Sequence, residues 1–252
     1  MKRRTFLKNT AISLGTIATL KGKTAITKAH PTDSNVRVLC WSELTEPKEI
    51  YPEGISGAIA EYLKTQPGMS VRTASINDSD QGLSNELLDK TDVLIWFGHL
   101  KHQDIHFDRV AEVTKRVREG RLGFIAIHSS HWSKIFKTLL DASGDPGGWR
   151  HDAGEETLRV VAPSHPIAKG IGDFVIPETE MYNEPLQVPP PKKVIFFGYW
   201  KTGEQFRSGM VWTVGEGRVF YFRPGHETHP IYFQPIPRKI IANAVLWCAQ
   251  HT

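Results

Sequence analysis

Hydrophobic residues in this chain follow two alternating patterns: short, nearly unbroken runs, and longer stretches spaced three and four apart. A run of five or six apolar residues bounded by Gly or polar positions is how a strand buried on both faces reads. Residues 36–41, 92–98 (D-V-L-I-W-F-G) and 123–127 (G-F-I-A-I) fit that description, and 71–76 is a more polar version. Between them, 54–65 places Ile55, Ile59, Tyr62 and Leu63 on one helical face. Likewise 108–119 sets Val110, Val113 and Val117 against a face of Arg, Lys and Glu. Residues 83–89 read as a short helix, and 133–140 as a helix with Ser133 placed to cap it. Strand–helix alternation up to Leu140 predicts a doubly wound parallel sheet of flavodoxin type.

After Asp141 the rhythm changes. Residues 157–162, 194–200, 209–214 and 218–223 read as strands, while 143–148 and the Pro-rich 175–191 read as loops. The closing helix, about 236–250, buries Ile240, Ile241, Val245 and Trp247. The expectation is a three-layer, mostly parallel α/β domain over 30–252, with extra strands in its C-terminal half.

Charge alters the picture at one end only. Residues 1–30 carry seven Lys/Arg and no Asp or Glu, and without them 24 basic residues face 27 acidic ones. The pI near 9.0 therefore belongs to the N-terminus, and a nucleic-acid partner is excluded. Lys2-Arg3-Arg4-Thr5-Phe6-Leu7-Lys8 followed by an apolar stretch over 11–20 is a twin-arginine signal pattern. The apolar stretch is about half the ~20 residues a membrane span needs. Residues 1–29 are thus expected to engage the twin-arginine translocase, to leave no stable membrane anchor, and to send the protein to the periplasm or medium. Cys40 and Cys248 fall on the first strand and last helix, where buried thiols are expected and a cysteine metal site is excluded by count.

Seven of the eleven histidines fall in three clusters: His99, His102 and His106; His128 and His131; His226 and His229. Each cluster follows a predicted strand, and the carboxyl ends of parallel strands converge on one crevice. Imidazoles with a carboxylate can hold one divalent ion of the Zn or Mn type, or act as acid and base without metal. Glu184, Glu155 and Glu227 are the carboxylate candidates. Gly225-His226-Glu227-Thr228-His229 is not the zincin H-E-x-x-H motif, because its histidines are three apart. Arg150 and Arg223 suit a hydroxyl-rich or anionic ligand, and Trp132, Trp149, Tyr182 and Trp200 can stack on a sugar ring.

These segments taken together resemble the ThuA-like (trehalose utilisation) family, whose fold is similar to class I glutamine amidotransferases. The likeness runs from about Val36 to Trp247. It rests on the strand ending at His99 with His102, Ile127-His128-Ser129-Ser130-His131 with Ser133-Lys134, and Trp149-Arg150. It continues through Ser164-His165-Pro166-Ile167, Glu184-Pro185 and Phe220-Tyr221-Phe222-Arg223-Pro224-Gly225-His226-Glu227-Thr228. Two places depart from the family pattern. Ser42-Glu43-Leu44-Thr45-Glu46 replaces an N-E-F-R-H-E-like segment, and Gly54-Ile55-Ser56 lacks the histidine of G-M-H. His229 stands where an aromatic is expected, so no role is carried onto it.

The resemblance implies a disaccharide or keto-glycoside ligand. Glutamine hydrolysis is rejected, since an amidotransferase needs a nucleophilic Cys at the elbow after the central strand and that position is about His128. The expected catalytic set is His99, His128, Glu184 and His226, with the same four as metal candidates. Arg150, His131, Trp149, Tyr182 and Arg223 are expected to bind substrate, in hydrolysis, isomerisation or elimination at a sugar. Two alternatives stand beside this: a non-catalytic sugar-binding or regulatory module, and a serine hydrolase using Ser129 or Ser130 next to His128.

Overall fold

The computed structural model describes residues 35–151 and 154–249. The predicted signal segment, 1–29, lies outside the described residues. Among the described residues, eleven strands and five α-helices follow one another within the unit 33–252. The strands are β1 (Val36–Ser42), β2 (Met69–Ser75), β3 (Val93–Phe97), β4 (Gly123–Ile127), β5 (Gly148–Arg150) and β6 (Glu156–Val160). They continue with β7 (Phe174–Ile176), β8 (Met181–Asn183), β9 (Lys193–Trp200), β10 (Gln205–Val214) and β11 (Gly217–Phe222). The helices are α1 (Gly54–Leu63), α2 (Asn85–Asp89), α3 (Phe107–Arg118), α4 (Lys134–Leu140) and α5 (Pro235–Cys248).

Nine strands form one sheet in the order β2-β1-β3-β4-β11-β10-β9-β6-β7, and β5 pairs β8 in a separate ribbon. From β2 to β11 every pairing is parallel, which is the flavodoxin-type half. From β11 outward to β7 every pairing is antiparallel. The alternation of side chains sorts the apolar runs into two cores. Val38 and Cys40 of β1, Ile125 and Ile127 of β4, and Phe220 and Phe222 of β11 pack with α1 and α5. Their neighbours Leu39, Trp41, Phe124, Ala126, Val219 and Tyr221 pack with α2, α3 and α4 on the other face. That is why those runs lack polar positions: both faces of each strand are covered.

Sequence periodicity locates these elements to within a few residues, and Ser133 caps α4 by accepting from Phe136 N at 3.2 Å. Three strands were not expected. Segments 143–148 and 175–191 supply parts of β5, β7 and β8, three residues each, too short for alternation to register. Strand β10 begins at Gln205, earlier than the apolar pattern indicates, because a register shift between Phe206 and Gly209 admits Arg207 and Ser208. Both cysteines are free and buried, as expected, and burial pushes the Cys40 thiol up to about 12.

Candidate active site

The carboxyl ends of the adjacent strands β3, β4 and β11 deliver one histidine each. His99 follows β3, His128 follows β4 directly, and His226 lies four residues beyond β11. Their ring centroids stand 6.1 Å (His99–His128), 5.2 Å (His99–His226) and 5.4 Å (His128–His226) apart. One nitrogen from each lies within 4.8 Å of the other two. One histidine from each of the three clusters therefore meets the others at this edge. His128 sits at the strand-to-helix elbow with φ of 51°, a left-handed conformation costly for a residue with a Cβ and typical of functional elbows. Residues 128–132 wind on as a 3₁₀ turn before α4.

Two carboxylates meet these rings. Glu180 Oε2 is 3.1 Å from His128 Nε2, and Glu180 Oε1 is 4.0 Å from His226 Nε2. Glu227 Oε1 is 3.2 Å from His99 Nε2, and its Oε2 is 3.8 Å from His226 Nε2. Burial dominates the electrostatics. It holds His99 below the usual imidazole range, His128 well below it and His226 at about 3, so all three rings are neutral at pH 7. Burial likewise lifts Glu227 to about 7, helped by repulsion from Glu180, Glu46 and Glu43. A second set of possible ligands, His151, Glu180 and His226, shares two members with the cluster and lies nearer the surface.

A cavity of about 510 Å³ opens above the cluster. Its walls include Trp132, Trp149 and Tyr182, and its floor includes His99, Glu180, His226 and Glu227. The ribbon places Trp149 directly opposite Tyr182, so the two unexpected short strands β5 and β8 build one aromatic wall. Trp149 is 60% exposed, whereas Tyr182 is buried, stacked on His128 at 5.3 Å with its hydroxyl 3.4 Å from Nε2. A half-exposed aromatic lip over a polar floor suits the apolar face and hydroxyl edge of a sugar ring.

Other expected site residues are placed elsewhere. Glu184 faces away from the cluster: it accepts from Arg207 Nε at 2.7 Å and Leu186 N at 2.7 Å, and Glu180 takes the place expected of it. Glu180 lies in the same Pro-rich segment, and because Glu180 and Glu184 each stand two residues from Tyr182, spacing alone does not separate them. Arg150 pairs with Glu204 and Thr202, and Glu155 pairs with Lys201 at 3.5 Å. His131 is fully buried behind Tyr182, donating from Nδ1 to Gly144 O at 2.6 Å, so a ligand in the cavity does not reach it.

Arg223 is also fully buried, in an ion pair with Glu156, and reaches the Glu180 carbonyl and Thr179 Oγ1. It is therefore a scaffold for the cluster and not a substrate contact. The serine-hydrolase alternative fails on the same ground. Ser129 Oγ donates to Gly98 O at 2.7 Å and Ser130 Oγ to Trp96 O at 2.9 Å, so both buried hydroxyls tie β4 to β3.

Sequence reasoning did not single out Glu43. Fully buried at the end of β1, its Oε2 accepts the consecutive amides of His99 (2.9 Å), Leu100 (2.8 Å) and Lys101 (2.8 Å). The turn carrying His99 is thus an amide nest closed on an internal carboxylate. Glu43→Ala is expected to cost about 2 kcal/mol in denaturant unfolding, because three partly buried N–H groups lose their shared, fully buried acceptor. Glu43→Gln, which keeps an acceptor oxygen, should cost less. An Ala variant within ~0.5 kcal/mol of wild type would show that the nest does not hold this turn.

Comparison with known proteins gives one family match and several structures of similar fold. The family model described as "ThuA: Trehalose utilisation" matches residues 37–248. No curated protein matches the chain. Among solved structures, a chain described as ThuA-like from Parabacteroides merdae superposes with a TM-score of 0.64 at 14% identity, covering 86% of this chain and 91% of that one. Another described as ThuA-like, from Bacteroides uniformis, gives 0.62 at 16% identity, with 88% and 94% covered. A glutamine amidotransferase from Thermotoga maritima gives 0.51 at 11% identity, with 84% and 98% covered, a likeness of fold.

Proposed function

We propose, from the premise that this chain belongs to the ThuA (trehalose utilisation) family, that it is an enzyme acting on a disaccharide or its oxidised, keto form in the histidine-lined cavity. The observation that carries the reading is the meeting of His99, His128 and His226, from three adjacent strand ends, beneath an aromatic lip. A module that only holds sugar needs aromatic and amide contacts; three neutral imidazoles and two carboxyl groups within reach of one ligand supply proton acceptors and donors. Trp149 and Trp132 stack on the ring, Tyr182 and Thr228 bond its hydroxyls, and the imidazole–carboxyl floor moves a proton next to the sugar's carbonyl or glycosidic carbon. That division of labour suits hydrolysis, isomerisation or elimination. Export through the twin-arginine route is part of the proposal and is supported by Lys2-Arg3-Arg4 and the short apolar stretch behind it.

Incubation of the full chain with trehalose and with keto-disaccharides, with products separated chromatographically, tests the reading. Consumption of a keto-disaccharide by wild type is expected, with a loss of at least about 1000-fold in His128→Ala and a fall mainly in affinity in Trp149→Ala. Sugar-dependent thermal stabilisation with no product from any of these substrates would instead mark a binding module.

A further inference from the structure

The tautomers of the clustered histidines are set by their outer neighbours. Ser129 Oγ spends its one hydrogen on Gly98 O at 2.7 Å, so the contact of 3.0 Å to His99 Nδ1 must be a donation from the ring. His128 Nδ1 faces Arg223 O at 3.2 Å, and a carbonyl only accepts. Both rings therefore carry their proton on Nδ1 and turn a bare Nε2 lone pair inward. Those lone pairs meet carboxylate oxygens: Glu180 Oε2 at 3.1 Å from His128 and Glu227 Oε1 at 3.2 Å from His99. Glu180 is 4% exposed, and its Oε2 has no hydrogen-bond donor among the described residues. The Tyr182 hydroxyl, 3.4 Å from His128 Nε2, has a single hydrogen and cannot serve both that nitrogen and Glu180 Oε2. The His128–Glu180 contact is therefore repulsive unless something electropositive joins the set. Among the described residues lining the cavity, none is Lys or Arg.

His226 completes the set differently. Its Nδ1 accepts from Thr228 N at 3.2 Å and lies 2.7 Å from Thr228 Oγ1. Without an ion the ring therefore carries its proton on Nε2, facing Glu227 Oε2 at 3.8 Å and Glu180 Oε1 at 4.0 Å; a bound ion takes that proton's place. The geometry points to a divalent-cation site formed by His99, His128, His226 and Glu180, open on its cavity side. Zn²⁺- or Mn²⁺-type ions bind imidazole nitrogen and carboxylate oxygen at ~2.0–2.2 Å, so neighbouring ligands of one ion stand roughly 3.0–3.5 Å apart. The separation of 3.1 Å between His128 and Glu180 falls in that range. The partners Ser129, Arg223 and Thr228 are the outer hydrogen bonds that orient metal-bound imidazoles elsewhere. The ion's role in turnover rests on the carbohydrate reading; its binding does not.

Full-length protein stripped with a chelator is titrated with Zn²⁺, Mn²⁺ and Co²⁺ alone, by calorimetry and, for Co²⁺, by visible absorption. One equivalent is expected to bind, at least about 100-fold more weakly in His99→Gln and in the near-isosteric Glu180→Gln, and equally well in the exposed His106→Gln. No stoichiometric binding of any of the three ions, or binding that survives both site substitutions, overturns the assignment. Keto-disaccharide turnover by chelator-stripped protein, with no ion bound, would sink the site's catalytic part while leaving the carbohydrate reading standing; tight binding without turnover does the reverse.

Discussion

Arg223→Met is expected to lower unfolding stability by about 3–5 kcal/mol, which in a domain of this size is a melting point lower by roughly 10 °C. The guanidinium is buried together with its partner Glu156. Glu156 Oε1 also accepts from Ser208 at 2.8 Å, and burial still raises that carboxyl above its usual range. Arg223 also stacks over Trp200 at 5.0 Å. Removing the guanidinium leaves a carboxylate in the interior without a counter-ion and leaves Thr179 and the Glu180 carbonyl without their donor. The double variant Glu156→Gln/Arg223→Met should recover a large part of the loss, because replacing both charges removes the desolvation cost along with the attraction. Chemical denaturation of the four proteins in the cycle measures this. A single-variant loss below ~1 kcal/mol would mean that the pair does not anchor the segment carrying Glu180.

The second large effect is in the acid limb of stability, and His131 isolates it. Burial holds its ring at about 3, against about 6.5 in an unfolded chain. Above pH 6.5 both states are neutral and the full stability is present. Between pH 6.5 and about 3 the unfolded chain binds a proton that the folded ring refuses, so stability falls as pH falls, by up to ~1.4 kcal/mol per pH unit. His102, held by burial at about 4, acts in the same direction. Glu227, raised to about 7, acts oppositely: its contribution is present below ~4.5 and is lost as pH rises through 7. The wild-type curve is therefore a sum of opposed slopes, and the informative quantity is a difference. The stability gap between wild type and His131→Asn should shrink by roughly 2.5 kcal/mol from pH 7 to pH 4.5. A gap that stays constant over that range would show that His131 is not held neutral.

Much of the candidate site was legible because its histidines sit at the ends of recognisable buried strands. His99, His128 and His226 each come within four residues of an apolar run, and parallel pairing brings such ends to one edge. Glu184 was misassigned to the cluster because it lies on the same irregular segment as Glu180, four residues apart. Only the local path of β8, paired across to β5, decides which carboxylate faces in. Arg223 and His131 look like ligand contacts in a sequence, where charge near Gly and Pro suggests an exposed loop. Their burial depends on Glu156, Trp200 and Tyr182, which are distant in the chain.

By itself the amino-acid order determined the parallel α/β scaffold, the two-faced burial of its strands and the family to which the chain belongs, since these depend on periodicity and local motifs. The folded arrangement alone decided that Glu180 and Glu227 complete the cluster, that Glu43 holds the His99 turn, and that Arg223 supports rather than binds. The physical reason is range: hydrophobic periodicity acts over neighbouring residues, whereas a hydrogen bond or ion pair is made wherever the chain's path brings two groups within about 3 Å.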